Sequence, residues 1–506
     1  MKKNFKYAMM MATALVLGFS SCSSDDNDPI EGGGSHVVEG KVTKAKISIQ
    51  APKTYASTPL DGTPEESNIG SVDVYIYNAK SGILENSKNF SSIDTSVTPW
   101  KVGEMQTTTG DKKVFIIANK PSAIEENHVN TVEKLTNLAH KFSLDDLATN
   151  GEFVMSSIVM NKTFTTIVTP EGGTPTIPST NTVAAEVNRM VAKLSVRNKD
   201  ANTPNLTIDG GKLNPNLSFG VGQVNKYSYL AQNISNDNVV DPNYHNDVIG
   251  WSTGEGLTGS NTVAKYEAVN AHDTTDDNLN FVYTLENTAL NKKKGDLTYV
   301  AIQAEFIPDS LQNYNTTKSK WEVINNSAST VAKTFHKITT KDNSFFFESE
   351  DLAKQYIVEV LAANENKIIA INTEIIAEAD AIIQGGSSTS EEIAEAQVKK
   401  TAAEAAIEKA NNKITELKNT TPIVKYTNGL CYYTVYPNKE NNYDVLRNDF
   451  YKITINKIMA LGDNDPGPLT PEDGEDVIGL QTDIDVTITV NPWNLWSEDV
   501  DLKPQS

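Results

Sequence analysis

Histidines and carboxylates are the side chains of this chain that could support catalysis or bind a metal. The six histidines are His36, His128, His140, His245, His272 and His336. They show no paired zinc-ligand spacing, and the chain has no H-E-x-x-H, no G-x-S-x-G and no phosphate-binding glycine loop. Among the 65 acidic residues, nothing in the sequence distinguishes a catalytic acid–base pair from carboxylates on a solvated surface. The sequence therefore predicts neither an enzyme, nor a metal site, nor a cofactor.

A different chemistry, lipid attachment, is indicated at Cys22. Lys2, Lys3 and Lys6 precede a mainly apolar run over residues 8–19, and two serines directly precede the cysteine. A positive start, a short apolar stretch and small residues before the cleavage point are typical of a signal peptide, and the cysteine resembles a bacterial lipobox. We expect residues 1–21 to be a lipoprotein signal peptide and Cys22 to be lipidated. The alternative is an ordinary signal peptide in which Cys22 is incidental.

Composition limits the partners and the means of stabilisation. Residues 22–40 are rich in acidic residues and glycine, as in a flexible tether. The net charge of −21 argues against nucleic acid as a partner. If Cys22 carries lipid, Cys431 is the one remaining cysteine, and no disulfide within the chain is possible. Stability must then come from core packing.

The two ends of the mature chain have the pattern of half-buried strands. Near the start, Ala45, Ile47 and Ile49 alternate with polar residues. Near the end, the alternating apolar residues and the anchors beyond them are Ile484, Val486, Ile488, Val490, Trp493, Leu495 and Trp496. A terminal strand can pair with another molecule, or it can be an ordinary edge strand of its own subunit. The pattern alone leaves both possibilities open.

Helical periodicity interrupts the β pattern over residues 350–419. The apolar residues of the first arm recur every seven positions at Leu361, Ile368, Ile375 and Ile382. A Gly385–Gly386 turn follows, and Thr389 with Glu392 forms a capping box for a second arm. The spacing predicts an antiparallel helical hairpin whose seam contains these four apolar residues. A further helix is predicted over residues 123–142.

Several segments resemble a known family. Residues 445–453 are similar to its V-x-R-N-x-x-Y-x-I strand, and residues 490–493 and 499–502 to its closing segment. Residues 188–193 and 295–300 also resemble family strands. In this order behind a lipobox, they resemble a short-fimbria (Mfa-type) fimbrillin, the major subunit of type V pili of Bacteroidales. The resemblance spans most of the chain apart from the hairpin.

The resemblance implies an all-β fold with two transthyretin-like β-sandwich domains. We expect the first at residues 41–200 and the second at 201–506, with the hairpin of residues 350–419 inserted in the second. It also implies a lipoprotein precursor that loses its first strand, residues 41–53, to a protease. The cut in oral relatives follows an arginine, but the first arginine here is Arg189. By position the candidate bond is Lys53–Thr54.

The implied function is that of a structural fimbrial subunit that polymerises by donor-strand exchange, with residues 483–502 as the donor. Its expected partners are copies of itself, anchor and tip subunits, a processing protease, and host or bacterial surface ligands. The precursor would be an outer-membrane lipoprotein and the mature form part of an extracellular fimbria. The alternatives are a monomeric glycan-binding surface lipoprotein and an accessory or tip subunit.

Overall fold

The structure is a computed structural model of the 506-residue chain. It describes residues 40–50, 64–140, 144–149, 152–201, 206–244, 263, 265–274, 278–290, 294–341, 343–437, 443–466 and 483–492. The predicted signal peptide and Cys22 lie outside the described residues.

The first thirteen strands precede residue 200. They are β1 (Val42–Gln50), β2 (Val72–Asn78), β3 (Leu84–Phe90), β4 (Trp100–Thr108), β5 (Gly110–Ala118), β6 (Ala139–His140), β7 (Ala148–Thr149), β8 (Glu152–Phe153), β9 (Met155–Ser156), β10 (Met160–Phe164), β11 (Thr182–Glu186), β12 (Asn188–Arg189) and β13 (Val191–Asn198). The helices of this part are α1 (Val132–Asn137) and α2 (Leu144–Leu147).

The remaining elements include a long helical insertion. The strands are β14 (Thr207–Ile208), β15 (Gly211–Leu213), β16 (Ser218–Gly222), β17 (Ser228–Tyr229), β18 (Asn233–Ser235), β19 (Asn238–Val240), β20 (Glu267–Ala268), β21 (Val282–Leu285), β22 (Tyr299–Pro308), β23 (Ser310–Asn315), β24 (Lys320–Asn325), β25 (Phe335–Thr339), β26 (Ser344–Phe347), β27 (Ile423–Tyr426), β28 (Leu430–Val435), β29 (Asp449–Ile458) and β30 (Ile484–Pro492). The helices are α3 (Glu350–Tyr356), α4 (Ala363–Gln384) and α5 (Ser390–Thr420).

Two sheets enclose the core of the first domain. The smaller has the order β11-β1-β4, and the larger has the order β12-β9-β5-β2-β3, with β10 also on β5. Residues of both sheets meet in this core: Ile47 and Ile49 from β1 share one buried cluster with Val74 and Ile76 from β2 and with Val114 from β5. Burial alternates along β1, as one-sided packing requires, whereas β2 and β5 are buried on both faces over most of their length. The predicted β-sandwich is confirmed.

A second pair of sheets encloses the second core. Their orders are β21-β13-β29-β30 and β14-β15-β22-β16-β20, with β28 also on β22. Leu194 of β13 and Ile453 of β29 belong to the same buried cluster as Phe219 and Ile302 of the facing sheet. The fold class is thus all-β with two sandwiches, as expected.

The strand β13, near the end of the first expected domain, passes from one core to the other. Val191 contributes to the first core, and Ala192 contributes to the second. β13 pairs in parallel with β29 from Lys193↔Phe450 to Asn198↔Ile455. This strand of the first segment therefore completes a sheet of the second domain.

The helix predicted over residues 123–142 is wrong in extent. The structure has a single helical turn at Glu126–His128 and a six-residue helix, α1. The Thr131 side chain caps the N-terminus of α1 by accepting a hydrogen bond from the Lys134 amide at 3.1 Å. The Tyr77 hydroxyl donates to the Val129 carbonyl at 2.8 Å, which anchors the segment to β2. This contact and the Thr131 cap divide the periodic segment and restrict the helix to its second half.

The helical hairpin is present, with α4 and α5 antiparallel and Thr389 and Glu392 forming the predicted capping box. Its seam differs from the prediction. Ile368 and Ile382 are 42% and 40% exposed, whereas Ala379 of α4 is buried. On α5 the buried residues are Ala396, Ala403, Ala410 and Ile414. The seven-residue repeat of isoleucines therefore lies beside the seam, because small residues bring the two helices together.

The hairpin is anchored to the second domain at its base. Tyr356 of α3 and Ile357, in the π-helical turn Ile357–Leu361, are buried in a cluster with Phe347 of β26 and Ile338 of β25. Among the described residues, no helix is both long and apolar enough to cross a membrane. The arms beyond the base contribute to neither sandwich core.

Shortening the arms should leave the β domains stable, whereas removing the base should not. Replacing residues 368–412 with a short Gly-Ser linker should change the free energy of unfolding by less than about 1 kcal/mol, since arms outside the cores are lost. Replacing residues 350–419 also removes Tyr356 and Ile357 and should cost about 3–5 kcal/mol. Guanidinium denaturation measures both. Equal losses in the two variants would contradict the assignment of the anchor to the base.

Candidate functional site

β1 is the middle strand of its sheet. It pairs in parallel with β11 from Lys46↔Thr182 to Gln50↔Glu186, and antiparallel with β4 from Val42↔Thr108 to Ile49↔Trp100. Because the sheet order is β11-β1-β4, the hydrogen-bond ladder of β4 and that of β11 both run to β1. Removing β1 would leave a groove between them, which we call the β1 groove, lined by unpaired backbone groups.

One face of β1 closes the first core. Thr43, Ala45, Ile47 and Ile49 are each at most 2% exposed, while the lysines between them are exposed. Burying an isoleucine side chain is worth roughly 1.5–3 kcal/mol. The β1 groove is therefore apolar at its floor and has backbone donors and acceptors along both walls.

A buried asparagine holds the first half of β1. The Asn181 side chain is fully buried, and its Nδ2 lies 3.0 Å from Thr43 Oγ1, 3.0 Å from the Lys44 carbonyl and 2.8 Å from the Thr165 carbonyl. Its Oδ1 accepts from the Thr165 amide at 2.8 Å. Asn181 thus satisfies groups of β1 and of its neighbour at once. Sequence pattern gave no sign of this role.

The open edge of the small sheet is covered by side chains. Asn86 Nδ2 donates to the Gln106 carbonyl at 2.7 Å, and Lys88 Nζ donates to the Glu104 carbonyl at 2.9 Å. Both donors belong to β3 and both acceptors to β4. These contacts tie β4 to the facing sheet on the side away from β1. β4, one wall of the β1 groove, is therefore attached to β3 independently of β1.

Within the described part of the chain, the carboxyl-terminal strand β30 pairs on one side only. It pairs antiparallel with β29 from Asp449↔Pro492 to Ile458↔Ile484 and is the last strand of its sheet. Ile484 is buried, but Val486 and Ile488 are only half-buried. The expected alternation is confirmed over the described residues. β30 has the same period as β1, with fewer backbone partners and less burial.

Six predicted site residues lie outside the described residues: Cys22, Lys53, Thr54, Trp493, Leu495 and Trp496. Val490 lies in β30 opposite Tyr451.

Arg189, the first arginine of the chain, is fully buried, and burial lowers its pKa to about 10, so it stays charged at neutral pH. Its burial leaves no access for an arginine-specific protease in the folded chain.

The segment just after the predicted cut is fixed by buried charges. Arg189 Nε donates to the Glu66 carbonyl at 2.7 Å, and Lys193 Nζ lies 2.8 Å from Glu66 Oε1. The Tyr283 hydroxyl donates to the same carboxylate. Glu66 is 2% exposed. A chain cut between residues 50 and 64 would therefore keep its new amino-terminal segment attached at Glu66.

The family-like residues Arg447 and Asn448 join the two domains. Arg447 forms a buried ion pair with Glu286 at 3.2 Å, and its Nη1 donates to Ser156 Oγ in β9 at 3.4 Å. Asn448 Oδ1 accepts from the amide and from Nη1 of Arg189, each at 3.2 Å. These two residues directly precede β29 and reach back to the first domain. In the described part of the chain, no group of three or more His, Cys, Asp or Glu could hold a metal.

Two family models match the chain. Residues 45–208 match the model described as major fimbrial subunit protein (FimA), and residues 424–499 match the model described as major fimbrial subunit protein type IV, fimbrillin, C-terminal. The first begins within β1, and the second contains β29 and β30. The resemblance to fimbrillins seen in the sequence is confirmed. A search of curated proteins finds no significant match.

Solved structures also show likeness to this chain. One, a protein of Parabacteroides distasonis assigned to cell adhesion, is 12% identical, with 90% of this chain and 100% of that chain covered and a TM-score of 0.44. The tip fimbrial protein Mfa3 of Porphyromonas gingivalis, with a C-terminal truncation, is 11% identical, with coverages of 89% and 100% and a TM-score of 0.36. These scores are too low to transfer a fold, which rests here on the chain's own strand pairing.

Asn181 should control how tightly β1 is held. Asn181→Ala leaves the Lys44 carbonyl and the Thr165 amide without a partner, at a cost of about 1–3 kcal/mol. We expect faster hydrogen exchange over residues 42–50 and a corresponding loss of stability. Thr180→Ala is the control, because that exposed hydroxyl contacts the same neighbours without reaching β1. Unchanged exchange in Asn181→Ala would show that the ladders alone hold the strand.

Proposed function

We propose that this chain, with its two fimbrial-subunit family matches, is a structural subunit of a cell-surface fimbria. The subunit polymerises by donor-strand exchange: β1 is removed, and the carboxyl-terminal strand of another copy enters the β1 groove. The observation that carries this proposal is the position of β1. It is the first described strand of the chain, yet it lies in the middle of a sheet and closes a core.

Loss of β1 creates the demand for a replacement. Its removal would expose Val102, Met105 and Val183, which share its buried cluster, together with the facing backbone of β4 and β11. Each polar group left buried without a partner costs roughly 1–3 kcal/mol. A strand with the same alternation restores both the ladders and the apolar contact. Water alone would restore only part of the hydrogen bonding.

Exchange also benefits the donor. In its own subunit β30 has one ladder and a half-buried face. In the β1 groove it would have two ladders, and its Ile and Val side chains would be buried where Ala45, Ile47 and Ile49 lie now. The driving force is the difference between an edge position and a middle position. Trp493, Leu495 and Trp496 would add apolar contacts beyond the strand.

Proteolysis is the trigger in this scheme. The cut lies in residues 52–59, between β1 and the segment fixed by Glu66, and the Lys53–Thr54 bond is the candidate. Before the cut, β1 keeps the precursor monomeric. After it, β1 can leave while the Glu66 contacts with Arg189, Lys193 and Tyr283 retain the rest of the domain. The cut therefore makes the subunit competent to polymerise without unfolding it.

Export and partners follow from the same scheme. Residues 1–21 direct export, Cys22 carries the lipid, and residues 22–40 tether the precursor to the outer membrane. The partners are other copies in the filament, anchor and tip subunits, the processing protease, and host or bacterial surface ligands bound during adhesion. The subunit is not an enzyme and needs no cofactor.

The donor strand should tolerate a charge on one face and not on the other. Ile488→Asp places a carboxylate on the face that the β1 groove must bury, although that residue is half-exposed in the monomer. We expect precursor treated with a lysine-specific protease to lose its polymer ladder on gels. Thr489→Asp, on the exposed face of the same strand, should polymerise normally. Thermal unfolding checks that both monomers fold.

Two further variants separate the donor from the cut. A chain ending at Thr482 should not polymerise, and equal polymerisation by this chain would exclude β30 as the donor. Lys53→Ala should slow processing in the native host. Normal processing of Lys53→Ala would place the cut at another bond, with strand exchange itself unaffected.

Lipidation should depend on Cys22. Cys22→Ala removes the thiol that accepts the diacylglycerol and should abolish incorporation of labelled palmitate and retention at the outer membrane. Ser24→Ala is a matched control two residues away. Unchanged labelling and fractionation of Cys22→Ala would indicate an ordinary secreted protein.

A further inference from the structure

An apolar stripe on the hairpin is left exposed. Ile368, Ile371 and Ile382 of α4 are 42%, 57% and 40% exposed, and Ile375 between them is partly exposed. These four residues, the α4 stripe, recur at intervals of three, four and seven residues, so they share one face of the helix. Isoleucine at such positions is costly to leave in water. The α4 stripe therefore has the character of a contact surface.

The stripe is exposed because α5 does not cover it. The buried positions of α5 are mainly alanines, at residues 396, 403 and 410, and they contact α4 along a narrow seam that contains Ala379. Lys400 of α5 forms an ion pair with Asp380 at 2.7 Å and fixes this register. Two helices packed through the α5 alanines leave the four stripe isoleucines at the side of the seam, whereas Ile369, Ile376 and Ile383 of α4 are only partly exposed. A third helix packed on this side would bury the stripe.

We propose that the α4 stripe docks on the α4 stripe of a second copy of this chain, with the two helices antiparallel and a twofold axis at Ile375. The pairing needs no strand exchange and so stands apart from the proposed function. Neither family match includes residues 209–423, and the hairpin lies within that range. In a filament, the contact would join neighbouring filaments side by side.

The stripe is self-complementary about Ile375. Ile368 lies seven residues before it and Ile382 seven residues after it, so an antiparallel copy brings each against the other. Seven residues are close to two helical turns, which keeps both on the axis of the stripe. An isologous twofold contact requires this self-matching of one surface.

Charge favours the antiparallel orientation. Lys367 and Glu378 are both exposed and lie eleven residues apart, near three helical turns, on the same flank of the stripe. In the antiparallel pair, Lys367 falls about five residues from Glu378 of the second copy, roughly 7.5 Å along the axis, within reach of two long side chains. In a parallel pair, residues of one flank lie on opposite sides of the twofold axis, so Lys367 and Glu378 would not approach each other.

A single contact of this kind is weak. Four isoleucines cover less than the roughly 800 Å² per partner of a standard interface, and Glu374 meets its own counterpart one residue from the axis. Repetition along two filaments would make many such contacts simultaneous, and their combined strength rises far above that of one. The contact suits reversible bundling of filaments better than a stable dimer of free subunits.

Single-cysteine variants of the uncut precursor test the register. In a full chain carrying Cys22→Ala, Ile375→Cys should form a disulfide-linked dimer on mild oxidation, at least ten-fold more than Val398→Cys, a 71% exposed position on α5. Cys431 will not interfere, because it is buried and burial raises the pKa of its thiol to about 12. β1 remains in place, so strand exchange does not contribute.

The paired positions give the direction. Ile368→Cys alone should not cross-link, because its two copies would be about 14 residues, roughly 21 Å, apart. A mixture of Ile368→Cys with Ile382→Cys should cross-link. Self-linking of every stripe position would show a parallel pair, and Ile375→Cys no more reactive than Val398→Cys would show that no pairing occurs. Either result would overturn the proposal, whatever the outcome for strand exchange.

Discussion

Hydrogen bonding on both edges of β1 is the constraint on which the first domain depends. When an edge strand leaves a sheet, the sheet loses one ladder of backbone hydrogen bonds. When a middle strand leaves, the sheet loses two. β4 and β11 have their ladders on β1, and four inward residues of β1 close the core beneath them. The chain therefore cannot lose this strand and remain a closed domain. A domain without β1 would need another strand of the same period to close it again.

Buried charges at the domain junction make such an exchange compatible with a folded protein. Arg189, Arg447 and Glu66 are each less than 5% exposed, and all three have polar partners within the protein. Breaking such pairs by removing one partner is strongly unfavourable, so they hold the domains in one arrangement. The junction adjoins the end of the β1 groove, because the amide of Val187, two residues before Arg189, donates to the Gln50 carbonyl of β1 at 3.2 Å.

The sequence identified elements whose periodicity is set by burial on one side. The alternation of Ala45, Ile47 and Ile49 and the helical spacing after Thr389 both correspond to observed elements. It did not identify Asn181, because a buried asparagine that bonds distant backbone has no local signature. The hairpin seam was misplaced for a related reason. Large aliphatic residues at heptad spacing predict the contact, whereas in the structure the buried positions of α5 are mainly alanines and Lys400 pairs with Asp380 beside them.

Two-sided pairing also has a mechanical consequence. A pull along the axis of a strand in the β1 position strains both ladders together, in shear, so that many hydrogen bonds must fail at once. A pull on the end of β30, held by a single ladder at an edge, can peel it away one bond at a time. The two positions differ in resistance to force as well as in equilibrium stability. A fibre whose joints occupy the middle position would stretch and break last at those joints, and its subunits would yield first elsewhere.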